Sequence, residues 1–213
     1  MSAHTGINPQ DEPRCETTAD RGDSLKTARW LEYLTISWNS IEAIAAVGAG
    51  LLAGSIALVG FGFDSVIESL SGGILLWRLS AGEHRDALAL KLVGVSFLIL
   101  ASYVGFEASR TLILQQPPES SYLGIAIAAL SLIVMPLLAR EKRKVARKIN
   151  SAALIADSKQ TDICAYLSAI LLGGLILNAA FGWWWADPVA ALVMVPIIVR
   201  EGIQGLRGET CCD

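Results

Sequence analysis

The chain has 213 residues, of which 53% are hydrophobic, and a formal net charge of −3. This is the composition of a membrane protein. The 17 Lys and Arg are balanced by 20 Asp and Glu. No basic patch with interleaved aromatic residues follows a nucleic-acid-binding module, so nucleic acid is excluded as a partner. The cysteines are too few and too scattered for a disulfide framework and are interpreted as reduced thiols; they are Cys15, Cys164, Cys211 and Cys212.

The first apolar region is long enough for two membrane spans. Hydropathy alone favours one span, because the charge-free run there is 43–63. However, 48 residues separate Arg29 from Arg78, which is enough for two spans of about 20 residues each. Gly48, Gly50 and Gly54-Ser55 supply turn chemistry in the middle. The predicted spans are helix 1 at about 32–52 and helix 2 at about 56–78.

Polar side chains lie inside both of these apolar segments. Asp64 and Glu68 are four residues apart near the middle of helix 2, so they share one helix face. Asn39 and Glu42 lie one turn apart in helix 1. An ionised acid in a bilayer costs about 2.5 to 3.5 kcal/mol on insertion scales, so two acids require a function. Like charges repel in a low dielectric, and the pair should therefore hold protons or share a cation. Pairing with polar neighbours in a helix bundle is the alternative.

Four further spans follow in chain order. A polar turn at 79–86 precedes helix 3, and the segment 115–121 breaks the chain before helix 4. The basic segment 140–148 is predicted to be a loop, and the tryptophans of the connection 182–188 suit a membrane interface. The predicted spans are 88–106, 122–139, 152–178 and a sixth helix that ends at about Val199.

Basic residues are concentrated on one side of this predicted topology. The N-terminal tail, the 2-3 and 4-5 loops and the C-terminal tail are rich in Lys and Arg, whereas the other three connections contain only Arg110. The positive-inside rule therefore places both termini in the cytoplasm. Helices 1–3 and 4–6 then run in opposite senses, as in inverted-repeat transporters. The predicted division is a flexible cytoplasmic tail at 1–29 without a signal peptide, a six-helix transmembrane domain of the cell membrane at 30–200, and a short cytoplasmic tail at 201–213.

Helix 5 carries the second polar cluster. Asp157, Gln160 and Cys164 share one helix face. At about 1.5 Å per residue, Glu68 lies about 18 Å from the outer end of helix 2, and Gln160 lies about 12 Å from the inner end of helix 5. In a hydrocarbon core about 30 Å thick, these two depths coincide. We therefore predict a four-ligand site formed by Asp64, Glu68, Gln160 and Cys164.

Three motifs resemble those of the cation diffusion facilitator family. Asp-Ser-Val-Ile-Glu at 64–68 resembles the paired acids on the family's second helix. The segment 156–164 is similar to its fifth-helix motif, Ala-Asp-x-x-His-x-x-x-Asp, and 185–192 is similar to the start of its sixth helix. The resemblance covers about 30–205. It implies a homodimeric divalent-metal exporter with six helices per subunit, driven by proton antiport, that holds the metal tetrahedrally between helices 2 and 5.

The sequence departs from the family pattern in two ways. Gln160 and Cys164 replace the family's His and Asp, which removes a nitrogen donor, adds a soft sulfur and leaves the identity of the metal open beyond zinc. Glu42 or Asn39 could complete the coordination. We also expect no cytoplasmic metal-binding domain after helix 6, so membrane helices should hold the dimer. Helix 3 is the best candidate because it lacks a mid-span acid.

Two peripheral groups offer weaker metal-binding signals. The turn with Glu83, His84 and Asp86 resembles a peripheral metal site of some relatives, although a solvated turn is the simpler interpretation. The Cys211-Cys212 pair could capture a soft metal, but it lacks further ligands.

The function predicted from these features is transport rather than catalysis. The expected partners are a divalent metal cation, protons and the lipid bilayer, with no bound cofactor other than the transported ion. A transporter of organic cations is the alternative, in which Asp64 and Glu68 serve as proton and substrate carboxylates, but Cys164 beside the acids favours metal. An integral-membrane enzyme is a further alternative. The sequence disfavours it, because no cluster of His, Ser or Lys at the membrane interface supplies a nucleophile or base. A scaffold would not need carboxylates at the bilayer midplane.

Overall fold

The computed structural model describes residues 18–81 and 86–207, which form six α-helices and no strand. The helices are α1 (Thr18–Ala53), α2 (Ile56–Ala81), α3 (Asp86–Leu114), α4 (Tyr122–Ile149), α5 (Ala152–Phe181) and α6 (Ala186–Arg207). Each contains a segment that is long and apolar enough to cross a membrane. The predicted all-α, six-helix membrane bundle is therefore confirmed.

The first apolar region forms two helices, as predicted. α1 ends at Ala53 and α2 begins at Ile56. Gly54 has a φ of +68°, a left-handed conformation that glycine adopts without steric cost. The Ser55 hydroxyl then accepts a hydrogen bond of 3.1 Å from the Leu58 backbone N–H, which caps the start of α2.

α1 begins earlier than the apolar pattern predicted. It starts at Thr18, so residues 18–29 belong to the helix and not to a tail that extends to residue 29. Ala28 is buried in an apolar cluster with residues of α4, and Leu25 packs against that cluster. A helix of 36 residues is about 54 Å long, well beyond a hydrocarbon core of about 30 Å. Hydropathy located the membrane span of this helix but not its full length.

The basic segment at 140–148 is helical, and the prediction of a loop there is wrong. α4 continues to Ile149 and ends at Asn150, whose φ is 52°. Arg, Lys, Glu and Ala are strong helix formers, so nothing in the segment stops the helix. The connection to α5 is short, and Ser151 caps α5 by accepting a hydrogen bond of 3.4 Å from the Leu154 N–H. α3, α5 and α6 likewise extend past their predicted ends.

The six helices pack in two groups. α1 pairs with α2, α4 pairs with α5, and these two hairpins contact each other through α1 and α4 and through α2 and α5. α3 pairs with α6 beside them. The polar residues of the predicted site thus lie among α1, α2, α4 and α5. The inverted repeat and the cytoplasmic position of both termini stay predictions.

Some predicted features fall outside the described residues. These are the first 17 residues with Cys15, the turn residues Glu83 and His84, and 208–213 with Cys211 and Cys212.

Candidate metal site

Asp64, Glu68 and Cys164 form one buried cluster between α2 and α5. Each offers a ligand atom, and the three atoms lie within 4.8 Å of one another. The residues are 5%, 2% and 1% exposed, respectively. Bonds from zinc to oxygen or sulfur are about 2.0 to 2.3 Å long, so small side-chain adjustments would bring all three atoms onto one ion. The one-turn spacing on α2 supplies both acids, and the α2–α5 contact brings the thiol to them.

The Glu68 carboxylate has no hydrogen-bond partner, although both of its oxygens are buried. A buried carboxylate without a hydrogen bond carries a large desolvation cost. This geometry suits a group that binds a cation or a proton during the protein's working cycle. It contrasts with the usual structural acid, whose oxygens are satisfied by neighbouring donors.

Gln160 lies one turn from Cys164 on α5, and its side chain contacts Ser71 of α2. The Ser71 hydroxyl donates a hydrogen bond of 3.0 Å to Gln160 Oε1. The Gln160 amide nitrogen is buried and unpartnered. Three of the four predicted ligands are therefore in one cluster, and the acceptor oxygen of the fourth is already engaged. The ligand role of Gln160 stays a prediction.

Asn39 and Glu42 of α1 contribute further unpartnered polar atoms. They are 0% and 2% exposed, and all four of their side-chain oxygen and nitrogen atoms lack a hydrogen bond. Ser131 on α4 lies near Glu42, and its hydroxyl is also buried and unpartnered. Glu42 does not belong to the group of acid and thiol atoms within 4.8 Å. Their part in coordination stays a prediction, but they make this side of the site polar.

Asp157 forms an ion pair instead of joining the metal cluster. Its Oδ2 lies 2.5 Å from Lys142 Nζ, and Glu32 Oε2 lies 3.2 Å from the same nitrogen. Sequence reasoning missed Lys142 because it lies in the basic segment, and it missed Glu32 because it lies at the edge of the predicted span. A helical wheel continued beyond Ala139 would have found Lys142, which follows the buried face of α4 that includes Met135.

Asp187, within the sixth-helix motif, joins α6 to the start of α2. The Ser55 hydroxyl donates a hydrogen bond of 2.5 Å to Asp187 Oδ1, and the Ala57 N–H donates one of 3.5 Å to Oδ2. A carboxylate at a helix N-terminus is favoured by the free N–H groups and the helix dipole. The structure thus gives this acid a positioning role at α2, the helix that carries Asp64 and Glu68.

Comparison with known proteins decides the family. Residues 33–207 match the family model described as the cation efflux transmembrane domain. The chain belongs to the cation efflux family. The resemblance seen in the motifs on α2, α5 and α6 is therefore confirmed across most of the chain. Cation efflux proteins are thus the reference for interpreting the buried acids.

Several similar proteins cover more than half of this chain. Transmembrane protein 163 of Xenopus laevis is 29% identical over 185 residues, which are 84% of this chain and 66% of that protein. A protein of Bacillus velezensis named cadmium, cobalt and zinc/H(+)-K(+) antiporter is 27% identical over 199 residues, 85% of this chain and 60% of the relative. The cation-efflux pump FieF of Shewanella oneidensis is 27% identical over 113 residues, 53% of this chain and 36% of that pump. The chain spans less than two thirds of the length of each of these relatives.

Proposed function

We propose that the chain exports a divalent metal cation, zinc or a similar transition metal, from the cytoplasm in exchange for protons. The buried Asp64, Glu68 and Cys164 cluster carries this proposal. Membership of the cation efflux family supports it, as does the name of the Bacillus relative, which includes cadmium, cobalt, zinc and protons. A transporter with this role has no need of a catalytic centre.

The charges in the cluster explain why metal and protons would exchange. Ionised Asp64 and Glu68 together carry two negative charges, which offset those of a bound dication. When the ion leaves, the same two charges would remain in a low-dielectric bundle at high cost. Proton binding removes that cost. The cluster thus favours either a metal ion or protons and disfavours the empty, ionised state.

The cysteine determines which metals suit the site. A thiolate is a soft ligand that favours zinc and cadmium over magnesium and manganese, whereas carboxylates are hard ligands. Cys164 stands where the resemblance places an Asp, and Gln160 stands where it places a His. The donor set is therefore softer than a site of carboxylates and imidazole, and we propose zinc and cadmium as its best ions.

We propose a homodimer joined by α3, located in the cell membrane with both termini in the cytoplasm. Four apolar residues spaced seven apart on α3 are exposed, a heptad pattern that favours a seam between helices. They are Leu92, Ile99, Phe106 and Ile113. α6 packs against α3 elsewhere, where a Cβ added at Gly94 would lie 2.7 Å from the Gly202 carbonyl oxygen. A seam on α3 would leave the four helices around the metal site free to rearrange.

Metal flux into proteoliposomes tests the proposed function. Vesicles that contain the purified chain and an internal metal-sensitive dye are given Zn²⁺, Cd²⁺, Co²⁺ or Mn²⁺, with and without a pH gradient. We expect Zn²⁺ or Cd²⁺ flux that depends on the gradient and is accompanied by proton movement. Glu68→Gln should abolish it, whereas Glu107→Gln, on α3 away from the cluster, should retain it. Absence of flux for every ion, or full flux in Glu68→Gln, would contradict the proposal.

A further inference from the structure

Three charged side chains are buried together next to the candidate metal site. Lys142 Nζ of α4 lies 2.5 Å from Asp157 Oδ2 of α5, 3.2 Å from Glu32 Oε2 of α1 and 3.5 Å from Thr161 Oγ1. The side chains of Lys142 and Glu32 are 0% exposed, and that of Asp157 is 5% exposed. We call Glu32, Lys142 and Asp157 the ion layer. The proposed exchange of metal and protons does not use it.

The ion layer lies between the metal cluster and the end of the bundle where α4 carries its basic segment. Asp157 precedes Cys164 by seven residues, which is about 10 Å along α5. On α2, Gly72 follows Glu68 by one turn, and a Cβ added at Gly72 would lie 3.2 Å from Glu32 Oε2. The layer therefore joins three helices and touches the fourth. It thus lies among the four helices that surround the site.

An apolar layer follows the ion layer in the same direction. It is a separate buried cluster that draws on the same four helices. Its larger members are Leu31, Leu75, Val145, Ile149 and Leu154. A metal ion moving between the cluster and this end of the bundle would therefore meet a charged layer and then an apolar one. In the described structure, the side chains of both layers are almost completely buried, which is the closed state of this path.

Stability alone does not explain the ion layer. Replacing a buried ion pair with well-packed apolar residues is often neutral or stabilising, because desolvation of the charges offsets their attraction. The layer is also unbalanced, with one ammonium against two carboxylates, and Glu32 Oε1 is buried without a partner. The carboxylates of Glu32 and Asp157 and the hydroxyl of Thr161 thus surround the Lys142 ammonium, a cation that is covalently part of the protein. A mobile cation that enters the layer could take the same place.

We propose that the ion layer is the inner gate of the transport path, with the Lys142 ammonium as its removable plug. The gate is closed while Lys142 bridges Glu32 and Asp157, and it opens when the ammonium leaves them, so that both acids face an incoming divalent cation. Lys142 suits this role because its charge is compact and its stem is flexible. The gate rests on the proposed transport function, but its test does not require transport.

The accessibility of Cys164 measures whether the gate is closed. Serine replaces the other three cysteines in the full chain, which is placed in lipid nanodiscs so that both faces meet the solution. A cationic, water-soluble methanethiosulfonate reagent then reaches Cys164 only through an aqueous path. We expect slow modification in this parent protein, because Cys164 is 1% exposed.

Lys142→Met tests the plug against a matched control. Met keeps most of the side-chain volume but removes the charge, so the two acids repel and the modification rate of Cys164 should rise roughly tenfold or more. Lys144→Met makes the same change two residues along α4, where Lys144 is exposed and pairs with Glu141 at 2.6 Å. That variant should match the parent.

A second variant keeps the test decisive if Lys142→Met does not fold. Lys142→Met combined with Asp157→Asn removes the ammonium together with its nearest acid, which relieves the unpaired charge. No ammonium then bridges α1, α4 and α5, so we expect Cys164 modification to rise here too, but less than in Lys142→Met because two acids no longer repel. If Cys164 stays as protected as in the parent in whichever of the two variants folds, the gate is overturned and the layer is a structural ion pair. Absence of metal flux in wild-type vesicles would instead overturn the proposed function.

Discussion

At the scale of single residues, burial and pairing separate the acids of the bundle into two kinds. Asp157 and Asp187 have donors within 2.5 Å, so they hold helices together. Glu68 is as buried as they are but has no donor, which makes it available to a cation. The difference follows from neighbours on other helices. The sequence does not show which of these acids has a donor on another helix.

Cys164 should set the order of metal preference. Cys164→Ser replaces a soft sulfur with a hard oxygen of similar size, so the ratio of Cd²⁺ flux to Mn²⁺ flux should fall roughly tenfold, while the highest rate changes less. Flux through proteoliposomes with each ion measures this ratio. Tyr166→Phe, an exposed change on the same helix, is the control. An unchanged order of preference in Cys164→Ser would show that the sulfur does not contact the metal.

At the scale of helices, the sequence predicted spans better than helix ends. The apolar pattern located all six spans. Of the glycines that predicted the turn between α1 and α2, Gly54 lies in it, whereas Gly48 and Gly50 lie within α1. It failed at the polar extensions of α1 and α4, where helix formers continue past the membrane and pack on each other. The ion layer was missed for this reason, because Lys142 lies in such an extension. The Asp64, Glu68 and Cys164 cluster was predictable since its spacing lies within spans.

Two glycines at the end of α1 should respond to alanine in opposite ways. Gly54 has a φ of +68°, so Gly54→Ala forces a strained conformation and should lower the free energy of unfolding by about 1 to 2 kcal/mol. Gly48 lies within α1, and a Cβ there meets no atom within 4 Å. Because glycine destabilises a helix interior relative to alanine, Gly48→Ala should raise the free energy of unfolding by about 0.5 to 1 kcal/mol. Thermal unfolding in detergent measures both. Equal shifts of the same sign would contradict the turn at Gly54.

At the scale of the whole molecule, the function depends on two hairpins that surround one site and a third helix pair beside them. α1 with α2 and α4 with α5 supply every residue of the metal cluster and the ion layer. α3 and α6 supply none of those residues. This division fits a transporter in which one part rearranges around the ion while the other part stays fixed.

The topology is tested by labelling from one side of the membrane. In a cysteine-free background, Ser120→Cys lies between α3 and α4, and Ser2→Cys lies near the N-terminus. An impermeant thiol reagent added to intact cells should label only the cysteine at 120, because the positive-inside rule places residue 2 in the cytoplasm. Labelling of both positions from the same side would rule out the antiparallel repeats.

The dimer is tested by cross-linking on α3. Phe106→Cys, on the proposed seam, should form an intersubunit disulfide in membranes under mild oxidation. Ile133→Cys on α4 is the control, because Ile133 is also exposed but lies outside the seam. A dispersed monomer that retains metal flux, or equal cross-linking at both positions, would contradict the proposed dimer.

Direct Cd²⁺ binding tests the central claim, which is that Asp64, Glu68 and Cys164 hold the transported metal. Titration of the purified chain, with serine at the other three cysteines, should produce a thiolate-to-cadmium charge-transfer absorbance that saturates at one ion per chain. Asp64→Asn with Glu68→Gln should abolish this absorbance, since the dication loses its compensating charge. Asp162→Asn is the control, because Asp162 lies on the same helix as Cys164 but is partly exposed and pairs with Arg143. This variant should leave the absorbance unchanged. Full absorbance without the two carboxylates, or none in the parent chain, would contradict the account.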